Sequence, residues 1–311
     1  MSTSVPQSEH FPTAARPDES VPGAPRSGCL LRSVVILATL AIVALPLLIY
    51  EFPREIARWH AAAAMEAYLD GNLNKALGSL DQAVAWDPQS PDHFRQRAEW
   101  KLEAKDLVGS LADANRAVEL DPADRLSLTR RSLVYQHLQR HREAIDDWHA
   151  IVDLSERTRG NSRRSPGDRE LADPYNGRAY ARALAGLEVE AGLKDVERAI
   201  KSYGSHPAYL DTRGYLYYRQ GRFEAARADL DSAVNGIEAL FSSWPEYVER
   251  EKSNAADLRE LQLGYKSLRY NVAVIRYHRA LVLRKLDLPK LAEEDLKRVR
   301  QMGFEPTDQL F

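Results

Sequence analysis

Three groups of residues in this chain have types and spacings that could do chemistry. The first is an arginine followed sixteen residues later by an aspartate: Arg97 and Asp113, Arg131 and Asp147, Arg213 and Asp229, Arg279 and Asp295. Arg178 and Asp195 stand one residue further apart. A catalytic set would need a nucleophile or a cofactor loop beside each pair, and none recurs with them. A repeated ion pair between two helices explains the pattern; partly exposed, it is worth ~0.2–1 kcal/mol and fixes helix register more than it adds stability. The second group is His137 and His141, four apart, a spacing at which one helix face can hold a metal. They flank a stretch, Gln139 to His141, where a turn is expected, so the rings need not share a face. The third is tyrosine: seven of the fourteen lie between Tyr175 and Tyr218. Tyrosine gives contact area and a hydroxyl at little entropic cost, which suits recognition of a peptide or a polysaccharide.

Other chemistry is not signalled. There is no HExxH, GxGxxG, Walker or GxSxG motif. The single cysteine, Cys29, leaves no disulfide framework or thiolate cluster. A formal net charge of −2 argues against a partner held by phosphate attraction. The expectation is therefore no enzyme, no cofactor, no metal and no nucleic acid.

The elements that must position these groups repeat. The stretch from Ala63 to Pro88 returns thirty-four residues later, ending at Pro122, and again ending at Glu156. Small residues recur at Ala64, Ala98 and Ser132, then at Ala76, Ser110 and Ala144. Apolar residues at helical spacing, a break at Asp70-Gly71-Asn72 in the first unit and a closing Asp-Pro in the first two make each unit two helices and a turn. One such pair cannot bury its apolar face, so the units must stack into a solenoid.

In period, small positions and closing Asp-Pro the chain resembles the tetratricopeptide repeat family. The resemblance covers nearly all of residues 57 to 306 and implies an all-α, helix-turn-helix repeat solenoid of about six units. It further implies that the second, fifth, ninth and twelfth positions of each first helix line a concave groove. Those positions include Arg95 and Glu99 in the second unit, Asn176 and Tyr180 in the fourth, and Asp211, Tyr215 and Tyr218 in the fifth. Tyr180, Tyr215 and Tyr218 are expected to face a ligand, with Asn176, Asp211 and Arg219 nearby and Arg95 and Glu99 as the alternative site. The lysines and asparagines with which some members clamp a carboxylate are missing; Ala61, Met65 and Leu126 stand at groove positions instead.

Around the repeats, residues 1–32 read as a disordered Pro/Ser-rich tail. Residues 33–52 contain eighteen uncharged residues, Ser33 to Tyr50, enough for a transmembrane helix that contacts the lipid bilayer. Arg16, Arg26 and Arg32 precede it and Arg54 and Arg58 follow, an asymmetry that places the tail in the cytoplasm and the repeats outside it. Units 1–3 occupy 57–156, a basic loop 157–174, units 4–5 175–235, a helical insertion 236–268, and unit 6 with a C-terminal tail 269–311. The expected function is a membrane-anchored scaffold that binds a protein or peptide segment in the groove. The alternatives are an assembly or regulatory subunit of an envelope, secretion or enzyme complex, or a polysaccharide binder.

Overall fold

A computed structural model of the chain describes residues 51–159, 169–251 and 255–306, with scattered positions between 35 and 49. The repeat body is one compact unit beginning at Pro53. Its described residues form six successive helix pairs: α1 (Phe52–Leu69) and α2 (Leu73–Trp86), α3 (Pro91–Glu103) and α4 (Leu107–Leu120), α5 (Arg125–His137) and α6 (His141–Arg159). Then follow α7 (Arg169–Ala185) and α8 (Val189–Tyr203), α9 (Pro207–Arg219) and α10 (Phe223–Glu251), α11 (Ala255–Lys285) and α12 (Pro289–Gln301).

The helix ends follow from side-chain chemistry. Asn72, Asp106 and Asp124 accept backbone N–H groups at the starts of α2, α4 and α5, which no helical carbonyl can reach. Pro91, Pro207 and Pro289 open α3, α9 and α12, where a missing N–H costs nothing. The turn within a pair needs one left-handed residue. Gly71 (φ 78°) and Gly221 (φ 76°) take it without a Cβ clash, whereas Lys105 (φ 63°), Gln139 (φ 58°) and Asp287 (φ 54°) take it with one.

Close approach within each pair depends on small residues. Ala64, Ala98, Ser132, Ala179 and Ala280 on first helices are buried, as are Ala76, Ser110, Ala144, Ala226 and Ala292 on second helices. At Gly214 even a methyl group is excluded, since a Cβ would lie 2.7 Å from Leu230 Cγ. The two serines keep their hydroxyls satisfied across the contact: Ser110 Oγ donates to the Ala98 carbonyl at 2.7 Å, and Ser132 Oγ to the Ala144 carbonyl at 3.0 Å.

In two places the helices run beyond the bounds that the sequence reading outlines. Helix α7 already begins at Arg169 and runs through Pro174, so the end of the expected 157–174 loop is helical. Ala172 and Tyr175 are buried there against Val152 and Ala179, and that packing outweighs the one backbone bond a proline removes. The described part of 236–268 is helical, as the sequence reading has it, and continuous with the helices on either side. It prolongs α10, unbroken through Pro245, and the start of α11 into a hairpin arm in which Phe241 and Trp244 meet Tyr265 at 5.6 and 6.5 Å.

The tail 1–32, with Cys29, and nearly all of the span expected over 33–52 lie outside the described residues. Among the described residues no helix is long and apolar enough to cross a membrane.

Candidate functional site

First helices of successive units touch one another, α3 with α5, α7 with α9 and α9 with α11, and so form an inner wall. All five arginine–aspartate pairs meet across their helix pairs through two hydrogen bonds. The distances are 2.6 and 2.8 Å for Arg97–Asp113, and 2.5 and 3.0 Å for Arg131–Asp147. They are 2.7 and 2.9 Å for Arg178–Asp195, 2.7 Å twice for Arg213–Asp229, and 2.8 Å twice for Arg279–Asp295. Four of the carboxylates are more deeply buried than a partly exposed pair implies: Asp113, Asp147, Asp195 and Asp295 are at most 5% exposed. Burial pushes the Asp147 carboxyl above the usual range, and the Arg131 guanidinium pulls against that rise.

The residues expected to face a ligand divide between two recesses on the inner wall. Tyr215, Tyr218 and Arg219 line one of about 310 Å³ together with Gln136, His141 and Leu281. Asn176, Tyr180 and Asp211 line another of about 250 Å³, with Gln136, Tyr270 and Asn271. Their exposure corrects the sequence reading. Tyr215 is 7% exposed and belongs to the core, stacked on His278 at 4.2 Å and on Tyr218 at 5.7 Å. Asp211 is also buried, its Oδ1 2.7 Å from His278 Nδ1. The cause is α11, which lays the fully buried His278 over the inner face of α9.

Tyr218 and Tyr180 are half-buried, and Arg219 is exposed beside Gly186, where a Cβ would lie 1.9 Å from its Nη2. Desolvation pushes the Tyr180 hydroxyl well above the ordinary phenol value, and burial pushes that of Tyr270 up to about 12. Both phenols therefore stay protonated. Asn176 is half-buried, and its Oδ1 meets no donor among the described residues.

Arg95 and Glu99 stand apart from these recesses and are held by the following unit and, for Arg95, by its own helix. Arg95 pairs with Asp124 at 2.8 Å and Asp92 at 2.7 Å, and Glu99 with Arg130 at 3.0 Å. His137 closes α5 and His141 opens α6, so they do not share one helix face. Sequence reasoning missed Tyr270 and Asn271. Their signal was the apolar spacing that runs on from Val274 backwards, which marks α11 as one helix rather than an insertion followed by a unit.

No family model matches the chain. Sperm-associated antigen 1 of Mus musculus is similar to it, 26% identical over 89 residues, which take in 29% of this chain and only 10% of that protein. Among solved structures, PilW, a widely conserved type IV pilus biogenesis factor, superposes with a TM-score of 0.51 at 12% identity, over 79% of this chain and 93% of that one. PilF of Pseudomonas aeruginosa gives 0.50 at 12% identity, over 80% and 92%. At such identities the likeness is one of fold, and the fold is that of a tetratricopeptide-like, all-α helical repeat solenoid.

Proposed function

We propose that the repeat body is a scaffold that holds a protein or peptide segment against its inner wall and catalyses no reaction, and that residues 33–52 anchor it in a membrane. The observation that carries the first part is Asn176. A buried acceptor without a donor costs about 1–3 kcal/mol. The Asn176 Oδ1 is such an acceptor on the inner wall, beside a recess that also holds Tyr180, Tyr270 and Asn271. Asn176 is itself only half-buried, so a turn of its side chain brings this oxygen to a backbone N–H of an incoming segment, while the tyrosine rings supply apolar walls. The anchor rests on the uncharged run from Ser33 to Tyr50.

A photo-crosslinker placed at Gln136, on the edge of both recesses, tests the groove in native membranes. We expect a discrete protein adduct that fades at least tenfold with Asn176→Leu; no adduct, or one indifferent to Asn176, counts against the groove. Alkaline extraction tests the anchor, which fails if the full-length chain is released from the membrane fraction.

A further inference from the structure

The hairpin arm reaches back across the sequence to the first two units. Lys266, on the arm half of α11, places its Nζ 2.9 and 3.1 Å from the two carboxylate oxygens of Glu103, at the end of α3. The same Nζ donates to the Tyr68 hydroxyl and lies 4.5 Å from the centre of the Tyr68 ring, at the end of α1. Tyr68 in turn donates to Glu103 Oε2 at 2.6 Å. A carboxylate, a phenol oxygen and an aromatic face thus converge on one ammonium group, a set of acceptors that matches the point charge of lysine.

The receptor half of this contact is held without the arm. The Tyr68 ring stacks at 4.6 Å and 13° on Trp100, which is itself 2% exposed and packed among Ala64, Ala67 and Leu80. The occupant is held lightly. The side chains of Lys266 and Glu103 are 48% and 43% exposed, and a pair so wet is easily exchanged. Tyr68 is the twelfth position of the first unit's first helix, one of the positions that the resemblance places along the groove, so a segment entering the groove from that end meets this site.

We propose that Tyr68, Trp100 and Glu103 form a lysine-recognition site at the amino-terminal end of the groove, filled in cis by Lys266 until a lysine side chain of a bound segment displaces it. This rests on the groove reading above and names a chemistry for its partner: a segment carrying a lysine. It also gives the arm a role, since the same contact screens the groove until a competing lysine arrives.

The test uses the full chain with Lys266→Met, which removes the resident ammonium and keeps the stem. The probe is a fluorescein-labelled peptide copying residues 258–270, together with the same peptide carrying norleucine in place of its lysine. We expect the lysine peptide to bind the variant at least tenfold more tightly than it binds the unaltered chain, and at least tenfold more tightly than the norleucine peptide binds the variant. Adding Glu103→Gln to Lys266→Met should erase the difference between the peptides while circular dichroism stays unchanged. Equal affinity of the two peptides, or no binding to the variant, overturns the proposal. Loss of lysine discrimination with the Gln136 adduct intact sinks this inference alone. Loss of the adduct with lysine discrimination intact sinks the groove reading and leaves the ammonium site standing.

Discussion

Arg131 donates from Nε and Nη2 to both oxygens of Asp147, and that carboxylate is 4% exposed. Such a pair costs little to keep and a great deal to break, because removing the guanidinium strands a buried charge. Arg131→Ala should therefore destabilise the body by about 3 kcal/mol, roughly 6–12 °C in melting temperature for a chain of this size. The double variant Arg131→Met with Asp147→Leu should recover most of that loss, because it buries no charge at all. Thermal unfolding followed by circular dichroism decides; a drop of only a degree or two for Arg131→Ala would mean that water reaches the carboxylate.

Histidines set the response to mild acid. Burial lowers the imidazole pKa of His93, His137, His149 and His206 below the ordinary value. The unfolded chain then binds more protons than the folded one below about pH 6.5, so stability must fall as pH falls through that value. We expect a lower melting temperature at pH 5.5 than at pH 7.5, and a smaller difference once His93 and His137 are replaced by asparagine. A melting temperature that holds or climbs on acidification contradicts this.

The left-handed turns make a prediction of the opposite sign. Lys105 occupies the conformation that Gly71 occupies thirty-four residues earlier. An L side chain there costs about 1–2 kcal/mol, partly offset by the extra freedom glycine has when unfolded. Lys105→Gly should raise stability by about 0.5–1 kcal/mol, and Gly71→Ala should lower it. Denaturant midpoints at constant slope give the comparison, and a loss of stability in Lys105→Gly would place the strain elsewhere.

The repeats were legible because the same constraint is written six times. A small residue is needed wherever two helices touch, and Ala64, Ala98 and Ser132 report that contact at a fixed period. The fate of the tyrosines was not legible in the same way. The resemblance to tetratricopeptide repeats implies that Tyr215 lies on the inner face of α9, but whether that face is open depends on what lies over it. The cover is His278, sixty-seven residues further along than Asp211 in α11. No local pattern in α9 encodes it. Changing Tyr215 to alanine would therefore remove core packing, and Tyr180 and Asn176 are the residues of that wall through which a ligand is better probed.

The arm has a kinetic consequence as well. A solenoid whose contacts join only neighbouring units can nucleate at any unit and grow in both directions. The bond from Lys266 to Tyr68 closes a loop of 198 residues, far beyond that range. The entropy of such a closure must be overcome before the contact returns anything, so it forms last, after the intervening units have set the ends at the right separation. In unfolding it is the first to open, which makes the amino-terminal units the place where hydrogen exchange should register a mutation in the arm.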